Sequence, residues 1–259
     1  MIWIFLRGLS RETAHWGSFP DDFRQALPTA SVMSLDLPGN GQLHQVPSLL
    51  SVGSMVEFCR HELAGRGVEP PYFLLAMSLG AMVATEWAYR FPQELTGCVL
   101  INTSFQAFSP FYRRLRPGNY LALLRLALVS RVPGDIEAAV LGLTSNRVAG
   151  RKSVLAAWID ARLRRPVKAV NTFRQLIAAV RYRARRAPPG TALLILCSKL
   201  DSLVHVDCSP AIAAYWKCPL AVHPSAGHDL PLDDPDWVIE QVRHWLGEPS
   251  GRARNTSQK

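Results

Sequence analysis

The sequence predicts an α/β protein: a mainly parallel sheet of about six strands, helices on both faces, and a helical insertion near the middle of the chain. Three observations carry that expectation. Short apolar runs of strand length alternate with amphipathic segments of helix length, the beat of parallel strands joined by crossover helices. The beat is interrupted once, between residues 105 and 190, where apolar residues recur at helical spacing with few β-branched clusters. The chain has 259 residues, of which 48% are hydrophobic, ample for one large core with an added subdomain.

Each element follows from its own stretch of sequence. "IWIFLR" (2–7) reads as a buried strand and "DDFRQAL" (21–27) as part of a helix, while "ASVMSLDLPGNG" (30–41) is a strand running into a Gly/Pro turn. A helix is expected near 51–65, then the strand "PYFLLAM" (71–77), the helix "LGAMVATEWAYRF" (79–91) and the strand "LTGCVLIN" (95–102). In the insertion, "NYLALLRLALVS" (119–130), "SVLAAWIDARLRR" (153–165) and "VKAVNTFRQLIAAVRYRARR" (167–186) read as helices. "RRAPPGT" (185–191) ends that run, because paired prolines cannot continue a helix. The beat resumes with the strand "TALLILCS" (191–198), a helix near 207–216, the strand "PLAVHP" (219–224) and the helix "PDWVIEQVRHWL" (235–246). The expected organisation is therefore a core of 1–104 and 191–247, a helical basic cap at 105–190 over the carboxyl edge of the sheet, and a polar tail at 248–259.

Charge is concentrated in the cap. Residues 105–190 hold 17 of the 29 Lys and Arg but only 3 of the 20 Asp and Glu, so the rest of the chain is net acidic. Arginine stems can cover apolar surface while their heads stay solvated, yet so few local carboxylates leave a face that should attract anions. No nucleic-acid motif or interleaved aromatic pattern is present, so nucleic acid is not the expected partner. An anionic substrate, an acidic carrier protein or an anionic lipid head group is, with Arg113, Arg114, Arg162, Arg164 and Arg165 as candidates. Five cysteines without CxxC spacing suggest neither a disulfide framework nor a zinc site. The N-terminus lacks the basic region and cleavage site of a signal peptide, and no run approaches the roughly 18 apolar residues of a membrane span. A reducing cytoplasm is the expected location.

Chemistry gathers at strand ends. In an open parallel sheet, reacting groups converge beyond the carboxyl ends of the strands. Ser78 directly follows "PYFLLAM", Asp201 follows "TALLILCS", and His228 follows "PLAVHP" in "SAGHDLP". A serine hydroxyl becomes a nucleophile only when a base takes its proton and a third group holds that base. Ser78, His228 and Asp201 supply those three roles, in the chain order Ser, Asp, His. An oxyanion hole needs two backbone amides: that of Leu79, at the helix start after the serine, and that of Leu9 in "RGLSRE", where Gly8 allows a close turn. His223 is expected to end its strand rather than act as base. Asn102 and Ser104 end another strand and cannot replace a carboxylate.

Together these residues resemble the α/β-hydrolase family, of the small serine esterase type, over nearly the whole chain. "RGL" (7–9) stands for the family's His-Gly-x loop, "DLPGNG" (36–41) for Asp-x-Pro-Gly-His-Gly, "AMSLGAM" (76–82) for the nucleophile elbow, and "SAGHDLPLDDPDWV" (225–238) for the histidine region. Ala76 replaces the first glycine of G-x-S-x-G, Arg7 replaces the loop histidine, and Asp201 lacks a glycine shortly before it, which keeps Asp207 as an alternative acid. The resemblance implies an α/β-hydrolase fold that opens on the third strand of the larger architecture. It also implies a serine carboxylic-ester hydrolase with no metal or organic cofactor. The layout is similar to that of esterases that demethylate pimeloyl groups on acyl carrier protein. Trp16, Met77 and Arg7 are the expected substrate-binding residues, with His15 beside Trp16. A thioesterase or acyltransferase using the same triad, and a non-catalytic acyl-binding protein, are the alternatives.

Overall fold

Period-two alternation decides the architecture of the computed structural model, which describes residues 1–121, 125 and 132–247. Six parallel strands, β1 (Ile2–Leu6), β2 (Ser31–Leu35), β3 (Tyr72–Met77), β4 (Leu95–Ile101), β5 (Ala192–Ser198) and β6 (Leu220–His223), form one sheet in the order β2-β1-β3-β4-β5-β6. Successive side chains of a strand point to opposite faces. Ile4, Leu6, Leu74, Ala76, Cys98, Leu100, Leu193 and Ile195 therefore join one buried cluster. Trp3, Phe5, Leu75, Met77, Val99, Ile101, Leu194 and Leu196 join the other. Apolar residues on both sides of a strand require helices on both sides of the sheet.

Ten helices connect or cover the strands among the described residues: α1 (Phe19–Ala26), α2 (Val52–Gly65), α3 (Leu79–Arg90), α4 (Phe111–Arg114), α5 (Pro133–Thr144), α6 (Arg151–Arg164), α7 (Ala169–Arg181), α8 (Cys208–Trp216), α9 (Leu230–Asp233) and α10 (Pro235–Trp245). Helices α2, α3 and α8 pack Met55, Val56, Trp87, Ile212 and Trp216 into the first cluster. On the other face, α1 and α10 pack Phe19, Phe23, Val238 and Val242. Each such fully buried large side chain contributes about 1.5–3 kcal/mol before entropy is subtracted.

Helices α4 to α7 make up the segment between β4 and β5. Of its expected helices, the one at 119–130 lies mostly outside the described residues, as does the tail at 248–259. The expected helix at 167–186 stops at Arg181. Beyond it Tyr182 and Ala184 are buried while Arg183 and Arg185 are exposed, so the chain switches to an extended alternation that seats Tyr182 against Phe105 in the core. None of the described helices is long and apolar enough to cross a membrane.

Candidate active site

The order of the strands reverses direction between β1's two neighbours, β2 and β3, and the carboxyl ends at such a point are where ligands bind in open parallel sheets. Ser78 stands at that point, between the last residue of β3 and the first of α3, with φ +54° and ψ −115°. A non-glycine residue at positive φ is strained by roughly 1–3 kcal/mol. Surrounding bonds over-determine it: Ser78 N–H donates to Ile101 O at 2.9 Å, and Thr103 Oγ1 donates to Ser78 O at 3.1 Å.

Gly80 lets the elbow close onto β1. A Cβ there would lie 2.5 Å from Leu6 O and 2.7 Å from Arg7 O, so only glycine allows α3 to start against the end of that strand. The loop after β1 consequently touches the serine, and a Cβ at Gly8 would lie 3.1 Å from Ser78 Cβ. Leu79 is the first residue of α3, so its N–H has no intrahelical acceptor. Leu9 N–H likewise donates to no group among the described residues. Neither amide expected for an oxyanion hole thus has a partner among the described residues, and Leu79 and Gly8, the neighbour of Leu9, both adjoin the serine.

His228 and Asp201 are in contact. His228 Nδ1 lies 2.7 Å from Asp201 Oδ2, and both side chains are buried. The other carboxylate oxygen, Oδ1, accepts Leu203 N–H at 2.7 Å and Val204 N–H at 2.9 Å, which fixes the plane of the group. Asp207, the alternative acid, sits at the surface and pairs with Arg113 at 3.2 Å. Burial pulls the His228 pKa down, but the charge and hydrogen bond of Asp201, with Asp229 beyond, outweigh it, and the net shift is upward. The Ser78 hydroxyl makes no hydrogen bond to His228 among the described residues; catalytic contacts are often longer before substrate binds.

Several residues outside the expected set hold the histidine loop. Asn102 donates through Nδ2 to His228 O at 2.8 Å and to Ser198 Oγ at 3.0 Å, and accepts Ser198 N–H at 2.9 Å, tying β4, β5 and the loop together. His223 does end its strand: its Nδ1 accepts Ala226 N–H at 2.8 Å, and its Nε2 lies 3.1 Å from Asp234. Arg7 grips Asp229 through two nitrogens, at 3.0 and 2.5 Å, and donates to Met77 Sδ at 3.6 Å. It joins the residue before Ser78 to the residue after His228.

The three expected substrate-binding residues lie together. Arg7, Trp16 and Met77 are 3%, 4% and 3% exposed, and the Arg7 guanidinium lies over the Trp16 ring at 4.7 Å. Trp16 packs on Phe5 and Phe19 in the core. Arg7 joins the other two, because a buried carboxylate at Asp229 demands a cation, and the cation lies over an aromatic face. His15, also buried, has its pKa pushed well down by burial and by Arg11 and Arg7.

Each of the five arginines named for the inserted segment has a partner within the chain. Arg162 pairs with Glu137, Arg164 with Asp160, Arg165 with Glu12 at 2.9 Å and Arg113 with Asp207. Arg114 turns inward to donate to Ala179 O at 2.9 Å. Glu137, itself 0% exposed, also takes Arg11 at 2.6 Å, and Arg11 stacks over Trp158 at 4.1 Å. Beside Asp201, whose carbonyl accepts from Arg116 Nη1 at 3.0 Å, an open cleft of about 610 Å³ is lined by Tyr112, Arg113, Arg116, Asn119, Ser202 and His205, among others.

With this geometry in view, comparison with known proteins is informative. A model of the alpha/beta hydrolase family matches residues 3–241. No curated protein sequence matches the chain. Among solved structures, an esterase from Thermogutta terrifontis is similar at 20% identity and a TM-score of 0.73, covering 95% of this chain and 89% of that one. A protein described as a putative lipase from Acinetobacter baumannii AYE is similar at 22% identity and a TM-score of 0.76, covering 95% and 83%. An esterase from Rhodococcus sp. ECU1013 is similar at 18% identity and a TM-score of 0.72, covering 97% and 91%. At these identities the likeness is one of fold.

Proposed function

The chain belongs to the alpha/beta hydrolase family, and from that premise we propose that it is a serine hydrolase cleaving carboxylic esters through an acyl-enzyme on Ser78. The observation that carries the proposal is the buried 2.7 Å contact of His228 Nδ1 with Asp201, on the same sheet edge as a serine strained into positive φ. With Nδ1 engaged, Nε2 is the nitrogen free to act as base.

His228 Nε2 takes the hydroxyl proton as Ser78 Oγ attacks the ester carbonyl. The amides of Leu79 and Leu9, which have no other partner among the described residues, hold the carbonyl oxygen as it gains charge. Collapse of the tetrahedral species breaks the ester C–O bond, and the imidazolium returns its proton to the departing alkoxide, which leaves as the alcohol. Water, deprotonated by the same imidazole, then attacks the acyl-enzyme and releases the acid. Asp201 keeps the imidazole in the useful tautomer throughout.

A fluorophosphonate reagent tests this directly. Wild type is expected to be labelled once per chain and Ser78→Ala not at all; no labelling of the folded wild type favours a non-catalytic acyl-binding protein. A narrower proposal concerns the substrate: the cleft bordered by Arg113, Arg116 and His205 suits an anionic group, borne on the ester itself, on an acidic carrier or on a lipid.

A further inference from the structure

Gln175 of α7 is 0% exposed and faces the loop that follows β1. Its Oε1 accepts Ser10 N–H at 2.8 Å. Its Nε2 donates to Asn40 Oδ1 and to Ser48 Oγ, both at 2.9 Å, with Pro38 O at 3.4 Å. A backbone N–H can only donate, so the amide is locked in this orientation. Thr172, on the same helix, adds a 2.7 Å contact between its Oγ1 and Ser10 Oγ. Ser10 itself has φ +56°, a conformation a serine leaves when nothing holds it.

We propose that Gln175 is a positioning residue for the oxyanion hole. By holding Ser10 N–H, it fixes the peptide unit between Leu9 and Ser10, and with it the rotation of Leu9 about its own Cα. The Leu9 N–H is thereby kept aimed beside Ser78, where Gly8 brings the loop within contact of the serine. One of the two oxyanion donors is thus set by the segment inserted between β4 and β5, not by the sheet. This rests on the serine-hydrolase reading above.

The experiment compares a p-nitrophenyl ester with its thionoester analogue in wild type, Gln175→Met and Gln175→Glu. Sulfur accepts hydrogen bonds more weakly than oxygen, so the preference for the ester reports how well the amides engage the developing anion. Removing one oxyanion donor costs on the order of a hundredfold or more in kcat; misaiming it in Gln175→Met is expected to cost at least about tenfold, with KM little changed and the ester preference reduced in step. Gln175→Glu retains an acceptor for Ser10 N–H, and the buried Asn40 Nδ2, which has no hydrogen-bond partner among the described residues, can turn to meet the carboxylate, so most of the loss is expected to be rescued. Should Gln175→Met fail to fold, Gln175→Asn withdraws the acceptor by one methylene and is expected to shift the preference the same way. An unchanged ester preference in the folded variants, whatever their kcat, would leave Gln175 as a mere anchor of the segment and overturn the proposal. Fluorophosphonate labelling of wild type separates the two levels: if it labels and the preference does not move, the Gln175 proposal alone falls; if wild type does not label, both fall.

Discussion

His228 shows how a single titrating group ties the site to pH. Folding raises its pKa above the value of about 6.5 expected in an unfolded chain, since Asp201 and Asp229 outweigh burial. Its contribution to stability is therefore complete below about pH 6.5 and fades as pH rises through the native value. Activity runs the opposite way, because the base must be neutral. A profile of kcat/KM against pH is expected to climb through a midpoint above about 6.5; a midpoint clearly below it would mean that a different base operates. That Ser78, Asp201 and His228 lie beyond the carboxyl ends of strands was legible, because each follows a short apolar run of strand length. Arg7 and Asp229 were not: they are 222 positions apart, and no local pattern announces a pair that only the folded sheet brings together. Arg7 read alone suggested a substrate ligand, and only the fold shows that its guanidinium also pairs with Asp229.

At the scale of elements, strands and core-facing helices were readable from their periods, and ends were set by chemistry the periods do not carry. Helix α7 stops five residues short of its expected end because Tyr182 and Ala184 are worth more buried at period two than exposed on a further turn. The union of α5, α6 and the β1 loop was not readable either. It depends on Glu137, which lies between Arg11 and Arg162 in the dark of the interior. Taking away the shared carboxylate in Glu137→Ala strands two cations and is expected to cost about 3–5 kcal/mol, or roughly 10 °C in a thermal melt of a chain this size. Replacing all three members with apolar residues of similar volume is expected to recover most of that loss, since the pairs offset their own desolvation more than they stabilise the fold. A melt unchanged in Glu137→Ala would show that the cluster is hydrated and energetically neutral.

For the whole molecule, the charge imbalance was visible in composition but its disposition was not. The cap's surplus is partly absorbed by carboxylates from elsewhere in the chain, Glu12 and Asp207 among them, which no count confined to residues 105–190 could include. The net charge of +9 nevertheless favours anions, and Arg113, Arg116 and His205 line the cleft beside Asp201. If substrates are anionic there, kcat/KM for a negatively charged ester is expected to fall several-fold as salt rises from about 0.02 to about 0.3 M, because screening shortens the reach of the field, while a neutral ester is unaffected. Equal salt dependence for both would remove the anionic-substrate proposal. Lifting the inserted helices off the sheet would tear the Glu137 carboxylate, with Arg162 travelling beside it on the same segment, away from Arg11 in a dry setting, so that flank is bolted shut. Substrate is then expected to reach Ser78 without those helices swinging away, so that the standing width of the approach, not its opening, sets which molecules are admitted.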